Sequence, residues 1–149
     1  MTGSAELQGL RVLVVEDEFL IAMDIEAMLR ELACEVVGPI GDLASALRAA
    51  QAETPDLALL DVNLGGEPVT TVAEALVARA VPIVFCTGYQ VENWCNRYPA
   101  APTLMKPFQL ADLRAALERA LASGAAAANP RVPSPAWGRA RRAGRRPKG

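Results

Sequence analysis

Apolar residues along the chain follow two periods, and the period switches from segment to segment. Leu10 to Val15 is a compact apolar run interrupted only by Arg11, and it leads into Glu16, Asp17 and Glu18. A short apolar run bounded by polar residues predicts a strand buried on both faces. Ile21, Ile25, Met28, Leu29 and Leu32 then recur at helical spacing and predict an amphipathic helix over Phe19 to Leu32. Glu35 to Ile40 reads as a second, shorter strand. Asp42 suits the N-cap of a helix over Leu43 to Ala50. A turn at Glu53 to Asp56 precedes a third strand, Leu57 to Leu60, which runs into Asp61 and a loop at Gly65-Gly66. Val72, Leu76 and Val77 mark a helix ending near Ala80, and Val81 to Cys86 a fourth strand. Gln90 to Tyr98 reads as a short helix or turn. Thr103 to Met105 is a short fifth strand ending at Lys106-Pro107-Phe108, and Leu110, Leu113, Leu117 and Leu121 give the last helix its apolar stripe. Five strands alternating with helices predict an α/β fold with a doubly wound, five-stranded parallel sheet.

Composition divides the chain further. Residues 1–128 hold 17 acidic and 8 basic residues, a balance of −9, whereas residues 129–149 hold seven basic and no acidic ones, a balance of +7. The predicted organisation is one domain over 10–123, an N-terminal extension over 1–9, and a basic tail rich in Pro, Arg and Ala over 124–149. The tail's prolines and charge argue for disorder. Its plain reading is a solvated tail; the sharper one is a basic arm for nucleic acid, anionic lipid or an acidic partner. No apolar run approaches the about 18 residues of a membrane span, and the first eight residues lack a signal-peptide pattern. A cytoplasmic protein without membrane insertion is expected. Cys34, Cys86 and Cys95 have no metal-site spacing and read as reduced thiols, with Cys86 a buried apolar residue. The chain has no histidine, which excludes Ser-His and Cys-His catalysis.

The chemistry collects at strand ends. In a parallel sheet every C-terminal strand end lies on one edge, where open α/β sheets place their ligands. The first strand brings Glu16 and Asp17 there, the third Asp61, the fourth Thr87 and the fifth Lys106. Three converging carboxylates would repel one another unless a cation sat among them. A hard divalent ion answers that need, with Mg²⁺ favoured because it takes one or two carboxylates, waters and a phosphate. Lysine and a hydroxyl nearby suit a phosphoryl group. The set therefore points to a phosphate on Asp61, or to a phosphate ligand near it.

The acidic pair Glu16-Asp17, Asp61, the Thr of Phe85-Cys86-Thr87-Gly88-Tyr89, and Lys106-Pro107-Phe108 resemble the receiver domain of two-component response regulators. The likeness covers about Leu10 to Ser123. It implies a flavodoxin-like (βα)5 fold and Mg²⁺-dependent phosphoryl transfer from a phosphohistidine to Asp61, followed by slow hydrolysis. It also implies that Asp17 and Asp61 hold the metal, with Glu16 binding directly or through water and the backbone carbonyl of Asn63 as a further ligand. Lys106 would pair with the phosphoryl group, Thr87 would move to hydrogen-bond it, and the Lys106-Pro107 peptide would be cis. The implied partners are a sensor histidine kinase or phosphotransfer protein and a downstream protein partner. A homodimer is a further option, and nucleic acid is expected only through the basic tail.

The pattern departs from the common receiver in three places. Gly65 replaces the usual proline four residues after the phosphoacceptor, which makes the loop more pliable. Thr103 stands three residues before Lys106, where an aromatic switch residue is usual. The Phe-x-Thr-Gly-Tyr run is similar to a subgroup of single-domain receivers named for its Phe-Ala-Thr-Gly-Tyr-like motif, known from alphaproteobacterial signalling and general stress pathways. Tyr89 is the expected aromatic reporter, and Trp94 and Tyr98 are candidates for the output face. With no second domain after Ser123, output is expected through a partner or as a phosphate sink. Each site residue also has a structural reading: Asp61 and Thr87 as turn residues, Glu16-Asp17 as helix caps, Lys106 as a surface lysine. A dehalogenase-like phosphatase would want a second acid at Asn63. A binding module that ignores phosphate would leave the acid, lysine and threonine set without a purpose.

Overall fold

The structure is a computed structural model that describes residues 6–88, 98 and 101–123. Along the chain run β1 (Arg11–Val15), α1 (Phe19–Glu31), β2 (Glu35–Ile40), α2 (Leu43–Ala52), β3 (Leu57–Asp61), β4 (Asn63–Leu64), β5 (Glu67–Pro68), α3 (Thr70–Ala78), β6 (Ile83–Thr87), β7 (Thr103–Met105) and α4 (Leu110–Ala122). The five long-range strands pair in parallel in the order β2-β1-β3-β6-β7. This is the doubly wound, flavodoxin-like order expected from the sequence. Its topological switch point lies between β1 and β3.

Alternation along the strands builds two cores. Leu13 and Val15 of β1, Ala58 and Leu60 of β3, and Ile83 and Phe85 of β6 point to one face, against Ala46 and Ala50 of α2 and Val72 and Leu76 of α3. Val12, Val14, Leu57, Leu59 and Val84 point to the other, against Ile25 and Leu29 of α1 and Leu113 and Leu117 of α4. Every residue of β3 and β6 is buried, because each strand has a neighbour on both sides and helices on both faces. Asp42 caps α2 by accepting a 2.8 Å hydrogen bond from the Ser45 amide. Among the described residues no helix is long and apolar enough to cross a membrane.

The structure adds detail to four expectations. Packing starts before the first predicted strand, since Leu7 is wholly buried against the second core; a lone leucine in a polar stretch carries no periodic signal. β2 keeps the expected bounds, Glu35–Ile40, but its pairing with β1 shifts between Leu13 and Val15, where Gly38 takes φ +105 before a cis peptide to Pro39. The Gly65-Gly66 segment forms the turn of a two-stranded hairpin, β4 with β5. Tyr98, a candidate for the output face whose plainer reading is a ring covering the core, is only 3% exposed and follows the plainer reading. Its ring packs against Phe85, with centroids 5.6 Å apart, as part of the first core. The expected helix or turn over Gln90 to Tyr98, with Tyr89, Trp94 and Cys95, lies outside the described residues apart from Tyr98. So do residues 1–5 of the N-terminal extension and the basic tail beyond Ser123.

Candidate functional site

Register brings the polar residues to one edge. β1 stops at Val15, and the Glu16 amide then donates to Ile40 O at 2.9 Å, which carries Glu16 and Asp17 past the sheet. Asp61 is the last residue of β3 and pairs with Cys86, one residue before Thr87. Thr87 pairs with Met105, and the Lys106 amide donates to Thr87 O at 2.8 Å. The five residues singled out from the sequence therefore meet at the β1/β3 switch point and its neighbours. Asp17, Asp61, Asn63, Thr87 and Lys106 line an open cavity of about 550 Å³ together with the Gly65-Gly66 turn.

Lys106 is the hub of the charges. Its Nζ lies 3.0 Å from Glu16 Oε1 and 3.2 Å from Asp61 Oδ2. Backbone amides hold one oxygen of each carboxylate. Glu18 N–H donates to Glu16 Oε2 at 3.1 Å, Asn63 N–H to Asp61 Oδ1 at 3.2 Å, and Gly65 N–H to Asp17 Oδ2 at 3.0 Å. Glu16 and Asp61 are buried, as is Thr87, while Asp17 is exposed. Burial pushes the Glu16 carboxyl above its ordinary range, and the charge of Asp61 adds to this; Lys106 and the Glu18 amide oppose it without reversing it. Burial alone would lower the Lys106 ammonium, but Glu16 and Asp61 outweigh it and raise Lys106 above its usual value. Cys86 lies beneath the site, almost fully enclosed, and burial pushes its thiol far above the normal range. It is thus held as an inert thiol, in line with its reading as a small apolar residue.

The donor set suits a hard cation. Glu16, Asp17 and Asp61 each place a carboxylate oxygen within 4.8 Å of the others. Glu16 Oε1 is buried and faces Lys106 through charge alone, since no donor makes a well-directed hydrogen bond to it. Oxygen-only ligands and a buried carboxylate oxygen short of a donor fit Mg²⁺. The Lys106-Pro107 peptide is cis, as the resemblance implies.

The sequence profile of the response regulator receiver domain matches residues 12–118. The chain belongs to that family. Among receiver relatives, it is 37% identical over 115 residues to the transcriptional regulatory protein PdtaR of Mycobacterium tuberculosis, covering 74% of this chain and 56% of PdtaR. It is 34% identical over 114 residues to the phyllosphere-induced regulator PhyR of Methylorubrum extorquens, covering 74% of this chain and 43% of PhyR. The receiver thus spans about half the length of the curated relatives it matches. The solution structure of SdrG from Sphingomonas melonis Fr1 is 39% identical with a TM-score of 0.66, covering 81% of this chain and 99% of SdrG. The receiver domain of the sensor histidine kinase PA1611 from Pseudomonas aeruginosa PAO1, with magnesium coordinated in its active-site cleft, is 31% identical with a TM-score of 0.65, covering 76% of this chain and 98% of that one.

Two site groups escaped the sequence reading, the amides of Asn63 and Gly65. Side-chain chemistry gives no signal for backbone donors. The one available signal was Gly-Gly between two short segments, a composition that favours a two-residue hairpin turn.

Proposed function

We propose that this receiver is a phosphorylation-controlled interaction switch, or a phosphate sink, with Asp61 as the phosphoacceptor and Mg²⁺ as its cofactor. The observation that carries the reading is Lys106 Nζ lying 3.2 Å from Asp61 and 3.0 Å from Glu16, with Thr87 lining the same cavity. Bound among Glu16, Asp17, Asp61 and the Asn63 carbonyl, Mg²⁺ would supply charge neutralisation for the transferred phosphoryl group. An Asp61 carboxylate oxygen attacks the phosphorus of a partner's phosphohistidine. The P–N bond breaks, its electron pair stays on the imidazole nitrogen, and an acyl phosphate forms on Asp61. Lys106 exchanges its contact with Asp61 for one with the phosphoryl oxygens, and Thr87 supplies a hydroxyl to them. Water then attacks the phosphorus and regenerates the carboxylate, so the chain turns over only its own phosphate and no separate substrate.

The phosphoryl donor is a histidine kinase or a phosphotransfer protein, and the signal passes to a downstream protein. Phe19, Leu20 and Met23 support a protein contact beside the site: they are exposed on the first turns of α1, directly after the acidic pair. The likeness to PhyR supports the general stress pathway expected from the motif. A second reading is a binding module that ignores phosphate and captures a polyanion, favoured by the seven basic residues of 129–149.

Acetyl phosphate with Mg²⁺ or with EDTA separates the two. The proposal expects one added phosphoryl group by intact mass in Mg²⁺ and none in EDTA or in Asp61→Asn. The second reading expects no adduct, and salt-sensitive polyanion binding that survives Asp61→Asn and disappears when 129–149 are deleted.

A further inference from the structure

The hairpin after Asp61 touches both aspartates of the acid cluster. Asn63 and Gly65 lie two residues apart, so their amides leave the same edge of the strand. That edge faces the cluster: Asn63 N–H reaches Asp61 Oδ1 at 3.2 Å and Gly65 N–H reaches Asp17 Oδ2 at 3.0 Å. The opposite edge pairs with β5 through Leu64 and Glu67. Gly65 has φ +59 and Gly66 φ +88, the two positive values that a type I′ turn requires. The turn therefore fixes where the Gly65 amide points.

We infer that this hairpin positions the cation site, with the Gly65 amide holding Asp17 Oδ2 so that cation binding and hairpin closure are coupled. The inference rests on the reading of Glu16, Asp17 and Asp61 as a Mg²⁺ site. Asp61 needs little help, because burial and Lys106 already restrict it. Asp17 is exposed, and among the described residues its carboxylate is tied only to Gly65. An exposed carboxylate loses rotamer freedom when it becomes a ligand. The Gly65 amide restricts it beforehand and leaves its second oxygen for the ion. Linkage requires the converse, that Mg²⁺ stabilises the closed hairpin by the same factor.

Nitrogen-15 NMR of the full chain during a Mg²⁺ titration tests this. The Gly65 amide is expected to shift along a saturation curve with the same Kd as the Asp61 amide. Hydrogen exchange at Leu64 and Glu67 should slow about fivefold at saturation. Gly65→Pro removes the amide and imposes a negative φ, and should weaken Mg²⁺ about fivefold or more. A stationary Gly65 amide while Asp61 saturates, or Gly65→Pro with unchanged affinity, overturns the inference. If Gly65→Pro loses the native spectrum, exchange in the unsubstituted chain decides, and no Mg²⁺-dependent slowing overturns it. No Mg²⁺ response anywhere in the cluster would remove the cation-site reading itself.

Discussion

Lys106 and Glu16 face each other across the carboxyl edge of the sheet with Nζ and Oε1 3.0 Å apart, and both are largely buried. Asp61 lies on the same ammonium at 3.2 Å. One lysine thus restrains two carboxylates until something more positive competes for them. Lys106→Met removes that restraint and the phosphoryl contact together. The Mg²⁺-dependent labelling rate from acetyl phosphate is expected to fall about 10- to 100-fold, measured by quenched intact-mass time courses.

Glu16 makes the Mg²⁺-free protein pH-sensitive. Its folded pKa is raised by burial above the ordinary 4.5. The native state therefore binds the proton more tightly than the unfolded state. The stability this confers is full below pH 4.5 and is lost as pH rises through the raised folded value. Glu16→Gln removes the effect. Without Mg²⁺ its Tm should exceed that of the unsubstituted chain at pH 7, with the gap closing toward pH 4.5. Its Mg²⁺ affinity should fall. Urea or thermal melts across that pH range, in EDTA, check the first part, and a Mg²⁺ titration the second.

Gly38 has no room for a side chain. A Cβ there would lie 2.9 Å from both Ile40 N and Val14 O, on backbone already at φ +105. Neither neighbour can rotate away, because both belong to the sheet. Gly38→Ala is expected to cost about 2–3 kcal/mol, read from urea denaturation midpoints at unchanged m.

Two helices end on alanines held left-handed. After α1, Ala33 has φ 64, and the Cys34 amide donates back to Leu29 O at 2.9 Å; after α3, Ala80 has φ 61, and the Val81 amide donates back to Leu76 O at 3.0 Å. These are Schellman endings, at a position where glycine avoids the Cβ penalty. Ala33→Gly and Ala80→Gly should each stabilise the fold by about 0.5–1 kcal/mol without altering Mg²⁺ affinity. Paired denaturation curves and Mg²⁺ titrations check both.

The site was legible where side-chain chemistry sits at the end of an apolar run. Asp61, Thr87 and Lys106 each close a strand, and a parallel sheet sends all such ends to one edge, so their meeting followed from the alternation alone. What stayed hidden depended on backbone geometry or on packing. Nothing in an alanine announces a positive φ, so the left-handed endings at Ala33 and Ala80 carry no sequence signal. Gly38-Pro39 inside a strand does warn of an irregularity, but the register shift there depends on how β1 lies beside it. Tyr98 suits a surface or a core by its chemistry, and its packing in the first core, on Phe85 among others, decides for the core. The Gly65-Gly66 turn was visible as punctuation, but the target of its amide, Asp17, became visible only in three dimensions.

The most direct test of an acyl phosphate on Asp61 is borohydride trapping after brief exposure to acetyl phosphate. Borohydride reduces an aspartyl phosphate to homoserine, and peptide mass mapping locates the change. With Mg²⁺ the account predicts homoserine at position 61 and at no other acidic position, and none with EDTA. Unmodified Asp61 in the presence of Mg²⁺, or conversion at another position instead, would contradict it.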